Sequence, residues 1–240
     1  MKKYIKMNKH IIYLLMLVFH TTYAQQDGVR ALYGVKSAKN IDDMENFEVK
    51  NIMISIASVL KDFEFELLIS DHESLFNRKE QLKPDDISPY IYYQALVFSQ
   101  GDKTWYVNDL EGTKIVEKND SKPMTLLLDE KLEWDITKES KNFGDYKVYK
   151  ATTVRQKGTV KTPVEAWFTS DLPYSFGPLG FGGLPGFIVE LKFEEMIYTL
   201  NKIEKANVKI KKPKLNNQIS YQEYYIMLEK EVADIKKKGY

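Results

Sequence analysis

Side chains that could act as catalytic bases, nucleophiles or metal ligands are scarce in this sequence. It contains no cysteine and three histidines, and two of these, His10 and His20, lie near the amino terminus. A serine triad needs a histidine base, and a typical zinc site needs several histidine or cysteine ligands. The remaining histidine, His72, lies in a polar run at residues 70–73 and is interpreted as a solvated loop residue. We therefore predict no catalytic residue, no metal site and no cofactor.

Carboxylates are the alternative source of chemistry, because a pair of them can hydrolyse a glycosidic bond. The sequence has 34 acidic residues, so pairs that lie close by chance are expected. Among Glu165, Asp171 and Glu190, Asp171 is the best candidate because Trp167 and Tyr174 lie near it in the sequence. The acidic pairs elsewhere lack the twelve-residue spacing of a calcium loop. A hydrolase that uses Asp171 or His72 remains an alternative.

The amino terminus has the pattern of a secretory signal peptide. Four lysines at positions 2, 3, 6 and 9 precede an apolar run at residues 11–19, and a small residue, Ala24, closes the segment. The run is too short to span a membrane, which takes about 20 residues. We expect cleavage near Ala24, a periplasmic or secreted protein that does not span the membrane, and one domain at residues 25–240. Without the four lysines the net charge of +1 becomes slightly negative, which argues against nucleic acid as a partner.

The elements that would position any site centre on residues 177–186, which contain five of the 12 glycines and two of the 8 prolines. This stretch, here called the motif loop, lacks the lysine and the serine or threonine of a phosphate-binding loop and precedes a strand pattern. We interpret it first as a structural turn, whose motif residues are Gly177, Pro178, Gly182, Gly183, Leu184, Pro185 and Gly186. A second interpretation is contact with a ligand or partner, because the stretch is unusually apolar. The contact residues would be Trp167, Tyr174, Phe176, Leu179, Phe181 and Leu184.

Strand patterns at intervals of roughly ten residues surround the motif loop and are joined by short turn signals. We expect strands at residues 29–33, 50–60, 63–69, 91–99, 104–108, 113–117, 132–137, 146–155, 159–169, 187–193, 196–203 and 208–210. Residues 70–89 are polar and are interpreted as a long loop with a short helical turn near residues 75–82. The fold class is therefore mainly β (α+β), a curved antiparallel β-meander sheet.

One amphipathic helix is expected at the carboxyl terminus, over residues 221–237. Ser220 and Glu223 have the spacing of a capping box. The apolar residues Tyr224, Tyr225 and Leu228 recur at helical spacing. They are expected to pack on the sheet, or alternatively to cover a hydrophobic groove that a ligand enters.

An ordered series of short motifs resembles the GLPGLI family, secreted proteins of Bacteroidetes. The signature itself is the run from Gly183 to Ile188, and the resemblance covers about residues 132–193. The upstream motifs are Trp134-Asp135-Ile136-Thr137, Gly144-Asp145-Tyr146, Lys150-Ala151-Thr152, Ala166-Trp167-Phe168-Thr169, Leu172-Pro173 and Gly177-Pro178. Phe187 replaces the leucine of the family name, and Val148 stands where many members have cysteine. The resemblance implies export and a mainly β fold, and it implies no established activity.

These observations together favour binding over catalysis. The expected function is an exported, non-catalytic binding or carrier-like protein for an apolar or peptide-like ligand. The alternatives are an interaction partner of an outer-membrane or exported protein assembly, docked through the motif loop or an edge strand, and the carboxylate-based hydrolase.

Overall fold

Twelve strands in one sheet make up most of the chain in this structure, a computed structural model that describes residues 27–119 and 123–238. The predicted signal peptide lies outside the described residues. The strands are β1 (Asp27–Ser37), β2 (Glu64–Ser70), β3 (Glu73–Arg78), β4 (Lys103–Asn108), β5 (Thr113–Lys118), β6 (Met124–Leu127), β7 (Asp135–Phe143), β8 (Tyr146–Lys157), β9 (Val160–Thr169), β10 (Phe187–Phe193), β11 (Met196–Asn207) and β12 (Gln218–Ser220). The α-helices are α1 (Phe47–Leu60), α2 (Pro89–Phe98) and α3 (Tyr221–Lys237), and short 3₁₀ turns occur at Ile41–Asp43 and Pro178–Gly180.

The sheet consists of two meanders that meet at its centre. Its strand order is β12-β6-β5-β4-β3-β2-β1-β11-β10-β9-β8-β7, and the sheet is open. Strands β1 to β6 run outward from the centre, and β7 to β11 return from the opposite edge until β11 pairs with β1 along its length. All of these pairs are antiparallel, and only the short β12 pairs in parallel, with β6. The predicted mainly β meander is confirmed, with one parallel pair added.

The sheet curls strongly, so that strands far apart in its order face one another. Strands β4 and β8 stand seven places apart, which in a flat sheet would separate them by roughly 34 Å. Yet the guanidinium carbon of Arg155 in β8 lies 5.2 Å from the ring centre of Trp105 in β4. The curl therefore creates a concave face whose two sides contact each other through side chains.

An aromatic cluster fills the concave face near the centre of the sheet. Phe65 stacks on Phe76 at 5.3 Å, and Tyr198 meets both rings edge-on. The hydroxyl of Tyr33 donates to the carbonyl of Ile188 at 2.7 Å, and burial raises the pKa of Tyr33 well above its usual value. The buried polar group of Tyr33 thus has a partner, as a dry core requires.

Two segments predicted as strands are helices. Residues 50–60 lie in α1, which begins after Asn46, whose side chain accepts from the Val49 amide at 3.0 Å. The alternation of Ile52, Ile54 and Ile56 suggested a strand, but the residues that α1 buries are Ile56, Val59 and Leu60, which recur at helical spacing. Residues 91–99 lie mostly in α2, where Pro89 occupies the first turn, a position that proline favours.

Two further predictions were wrong. Residues 73–78, predicted as part of a long loop, form strand β3, which pairs with both β2 and β4. The segment looked polar because its outward residues alternate with the buried Ser74 and Phe76. Residues 208–210, predicted as a short strand, are not in a strand.

The carboxyl-terminal helix α3 matches its predicted bounds. Ser220 accepts from the amide of Glu223, and the Glu223 carboxylate accepts from the amide of Ser220, so the capping box is formed. Tyr221, Tyr224 and Tyr225 are buried against the sheet, which confirms the predicted packing. None of the described helices has the length and apolarity needed to cross a membrane.

The helical form of residues 47–60 predicts how two neighbouring isoleucines respond to truncation. Ile56 is 1% exposed and Ile54 is 49% exposed. Ile56→Ala should lower the free energy of unfolding by about 2–4 kcal/mol, because it leaves a cavity, and Ile54→Ala by less than about 0.5 kcal/mol. Urea denaturation of both variants measures this, and equal losses would contradict the helix.

Candidate functional site

The motif loop folds into the concave face between β9 and β10. It contains the 3₁₀ turn at Pro178–Gly180 and an isolated bridge between Phe176 and Gly182. Its apolar side chains Leu179, Phe181 and Leu184 are buried, as is the preceding Phe176, and the turn packs against β3 and β4. The loop therefore supplies core to the opposite side of the curled sheet.

Two glycines allow the close backbone contacts that this path requires. Gly186 has φ +154°, and a Cβ there would lie 2.1 Å from the carbonyl oxygen of Thr169. A Cβ at Gly182 would lie 2.4 Å from the carbonyl oxygen of Ser175. Leu179 also has a left-handed backbone, with φ 55°, a conformation that costs a residue with a Cβ about 1–2 kcal/mol. The chain accepts this cost where the side chain of Leu179 is fully buried.

A buried ion pair joins the motif loop to both sides of the sheet. The fully buried Arg155 donates from Nε to both carboxylate oxygens of Glu130, at 3.2 and 3.0 Å, and from Nη2 to Oε1 at 2.6 Å. Its Nη1 donates to the carbonyl oxygen of Leu179 at 3.0 Å. The guanidinium carbon lies 3.6 Å from the centre of the Phe181 ring and 5.6 Å from that of Phe193. Charge, hydrogen bonds and π faces thus compensate for its desolvation.

A second side chain, from the residue directly before β7, holds the loop. Trp134 Nε1 donates to the carbonyl oxygen of Gly182 at 2.9 Å, and its ring meets Phe181 edge-on. Arg155 and Trp134 together satisfy two carbonyls of a buried connection, which would otherwise be costly. These contacts assign a structural role to the loop.

A cavity of about 340 Å³ lies beside the loop, between the backbone of Gly182 and Gly183 and the side chains of Lys114 and Glu130. Lys114 Nζ lies 3.5 Å from Glu130 Oε1, and burial lowers the pKa of the lysine. Phe181 and Leu184 do not line this cavity.

The residues predicted to contact a ligand fall into a buried set and a partly exposed set. Phe176, Leu179, Phe181 and Leu184 are buried within the chain. Trp167 and Tyr174 are partly exposed. Lys141 Nζ lies 4.2 Å above the Trp167 ring, and Tyr174 packs edge-on against Phe187. Contact of this set with an external molecule stays a prediction.

The residues considered for catalysis lie at the surface. His72 Nδ1 lies 2.9 Å from Asp109 Oδ1, and the His72 side chain is 59% exposed. Asp171 is exposed, and Glu190 pairs with Lys141 at 2.9 Å. Within residues 27–119 and 123–238, no three His, Asp or Glu side chains are grouped to hold a metal ion.

An open groove of about 490 Å³ lies between α3 and the hairpin of β8 and β9. The apolar stripe of α3 is buried in its first turns and continues into the carboxyl-terminal half, where Val232 is 51% exposed. Val160 at the start of β9, 56% exposed, contributes to the facing wall, and Leu228 and Ala233 add apolar surface. The groove is therefore an exposed continuation of the core.

Charged side chains surround this groove, here called the helix groove. Lys157, Glu194, Glu229 and Lys236 contribute to its lining, and Lys157 is paired with Glu194. Glu229 accepts from the amide and hydroxyl of Thr159 at 3.0 and 2.8 Å. These bonds hold α3 on the hairpin, so the groove has a fixed wall on each side.

Two features that matter here carried no prediction from the sequence: the Arg155–Glu130 pair and the groove residue Val160. One signal for the pair existed. Lys and Arg number 35, and only three of them are arginine, at positions 30, 78 and 155. In a chain that otherwise uses lysine, arginine indicates a site that needs a planar, stacked cation. No comparable signal marked Val160.

One family model matches the chain, that described as "Protein of unknown function (Porph_ging)", over residues 155–190. The match begins at Arg155 and includes the whole motif loop. It covers a small part of the chain and carries no activity with it. No curated protein matches the sequence.

Solved structures of PNGF-II are similar in fold. The form in space group P21 has a TM-score of 0.50 and 13% sequence identity, covering 85% of this chain and 33% of that chain. The form in space group C2 has a TM-score of 0.49 and 11% identity, covering 84% and 33%. This chain thus spans about a third of the length of PNGF-II, and at this identity the likeness concerns the fold alone.

Two glycines of the motif loop should differ sharply in their tolerance of a Cβ. Gly186→Ala adds a methyl group 2.1 Å from a backbone oxygen, so the backbone must move, and we expect a loss of about 3 kcal/mol or more. Gly183 has φ +83° with nothing within 4 Å of its Cβ position, so Gly183→Ala should cost only about 1–2 kcal/mol. Urea denaturation compares them, and equal losses would refute the steric explanation.

Removing both partners of the buried ion pair should cost less than the two single removals added together. Glu130→Gln leaves the Arg155 charge buried and without its counter-ion, and we expect a loss of about 3–5 kcal/mol in the free energy of unfolding. Arg155→Met combined with Glu130→Met should lose less than the sum of the two single methionine variants. The measurement is a double-mutant cycle by urea denaturation, and strict additivity would show that the two side chains do not act as a pair.

Proposed function

We propose that this chain is an exported, non-catalytic binding protein of the GLPGLI family, and that it binds a peptide-like ligand in the helix groove. The observation that carries the proposal is the apolar stripe of α3, which continues past the core and forms an open groove with Val160. Exposed apolar surface with a charged rim is typical of binding sites. The basic amino-terminal segment and its apolar run support export.

Family membership is supported by two observations. The motif series over residues 132–193 resembles the family, and the Porph_ging match falls inside that region. The buried contacts of the loop give a physical reason for its unusual sequence, because glycines at 182 and 186 permit backbone approaches that a Cβ would block.

The helix groove fits a peptide-like ligand better than a purely apolar one. Its walls can accept an apolar side chain of the ligand. The charged groups of Lys157, Glu194, Glu229 and Lys236 lie within reach of the polar backbone groups of a bound peptide. The concave face offers less room, because the motif loop packs its own apolar side chains there. A ligand bound at the groove would contact the chain without displacing the core.

Docking to a protein assembly is the alternative. The apolar side chains of the motif loop other than Pro185 are buried, so the loop offers such a partner little exposed apolar surface in this conformation. Strand β7 ends the sheet order and has one unpaired edge, which suits addition of a partner strand. The helix groove is favoured because it supplies an apolar surface, whereas β7 exposes mainly polar and charged side chains.

Two probes test the groove: N-phenyl-1-naphthylamine as an apolar dye, and a dansylated leucine-rich hexapeptide. We expect the hexapeptide to bind. Val232→Glu should weaken its binding about tenfold or more, a loss of about 1.4 kcal/mol in binding free energy. Val49→Glu is the matched control, since Val49 is a helical valine that is 47% exposed on α1, away from the groove.

Fluorescence titration gives the affinities, and circular dichroism checks that both variants are folded. A protein that binds neither probe, or a Val232→Glu variant that binds the hexapeptide as well as the Val49→Glu control does, would overturn the proposal. Binding of the dye without the hexapeptide would replace the peptide-like ligand by an apolar one.

A further inference from the structure

A second cleft, of about 770 Å³, opens on the other side of the aromatic core, where β3 ends and β4 begins. Its lining combines apolar surface with polar and charged groups, which include Arg78, Glu80, Asp102, Lys103, Thr104 and Asn119, and it has an exposed aromatic ring, Tyr93. We call it the polar cleft. The residues that line it are distinct from those that line the helix groove.

The strand register brings cations together at this cleft. Asn77 pairs with Thr104 across β3 and β4, so the next residue, Arg78, lies beside Lys103. Lys103 in turn pairs with Lys118 of β5. Lys103 is only 6% exposed, and burial lowers its pKa. Its ammonium lies 3.5 Å from Asp102 Oδ1 and donates to Gln100 Oε1 at 2.6 Å.

Arg78 differs from the other cations of this cluster because its Nε–H is buried and has no hydrogen-bond partner. Its Nη1 donates to the carbonyl oxygen of Lys79 at 2.9 Å, and the guanidinium carbon lies 5.0 Å from the centre of the Phe63 ring. These contacts fix the plane of the side chain and leave one donor without an acceptor. Buried donors of this kind are rare in native proteins.

Asp102 supplies the complementary group. Its Oδ1 is also buried and accepts no hydrogen bond. The two residues are close, because a Cβ built on Gly101, the neighbour of Asp102, would lie 3.0 Å from Arg78 Cδ. One cleft thus borders a guanidinium with one unsatisfied donor and a carboxylate whose Oδ1 has the Lys103 ammonium 3.5 Å away.

We propose that the polar cleft binds a small carboxylate that carries a hydroxyl or ammonium group beside the acid, as amino acids and hydroxy acids do. The ligand carboxylate accepts from the Arg78 guanidinium, and the Asp102 carboxylate accepts from the adjacent ligand donor. A phosphate fits less well, because the Asp102 carboxylate repels a second negative charge. Tyr93 offers a ring against which an apolar side chain of the ligand can pack.

A matched set of small molecules tests this assignment on the full chain by isothermal titration calorimetry. L-phenylalanine and L-3-phenyllactate have both groups, 3-phenylpropionate lacks the donor, and 2-phenylethylamine lacks the acid. We expect the first two to bind about tenfold or more tightly than the last two, and more tightly than inorganic phosphate. Equal affinity for 3-phenylpropionate, preference for phosphate, or no binding by any of them would overturn the proposal.

Variants identify the residues involved. Arg78→Lys keeps a positive charge but lacks the Nε–H, and it should lower the affinity for L-3-phenyllactate about tenfold. Arg30→Lys is the control, because Arg30 lies on β1 and pairs with Glu66 at 2.9 Å. Unchanged binding by Arg78→Lys would refute the role of Arg78.

Asp102→Asn provides a second test that does not depend on the stability of the Arg78 variant. The amide keeps a hydrogen-bond acceptor but loses the charge, so affinity for L-phenylalanine should fall more than affinity for L-3-phenyllactate. If the substitution lowered the affinity for both ligands equally, Asp102 would not contact the ammonium group of the ligand. Val232→Glu should leave binding at the polar cleft unchanged. A negative result at the polar cleft therefore does not count against ligand binding in the helix groove.

Discussion

The bidentate pair of Arg155 and Glu130 is the contact on which the curled form of the sheet depends. It lies where the two sides of the sheet face each other, and the same guanidinium binds the carbonyl of Leu179. Isolated charges in such a place would be costly. Here the carboxylate, the carbonyl and the aromatic rings around Arg155 satisfy the cation from several directions. A single side chain thus joins the sheet, the motif loop and the segment before β7.

Because the chain fills its concave face with its own loop, the space for other molecules lies at the margins. The helix groove continues the core outward along α3, and the polar cleft lies beyond the aromatic cluster on β3 and β4. The two places differ in chemistry, since one has apolar walls and the other has charged and amide groups. A curved sheet can thus accommodate ligands without an empty interior.

The sequence predicted β9, β10 and β11 well because much of each strand alternates between buried and more exposed residues. Strand β7 buries no residue, and it was predicted over 132–137 instead of 135–143. The capping box at Ser220 likewise fixed the start of α3. Residues 50–60 failed because three isoleucines at alternate positions imitate a strand, although only Ile56 of the three is buried. The polar cleft was missed for another reason: the register of β3 and β4 brings Arg78 beside Lys103, the neighbour of Asp102, and such pairings are revealed by no local pattern.

The pairing of β1 with β11 has a consequence for how the chain reaches its native state. Residue 27 lies opposite residue 207, so the central ladder of the sheet closes a loop that contains most of the domain. The first meander can form early, but its β1 edge stays open until β11 arrives. Such long-range closure slows folding, and an open central edge is a surface for association with other chains. Slow folding and early self-association are therefore built into this topology.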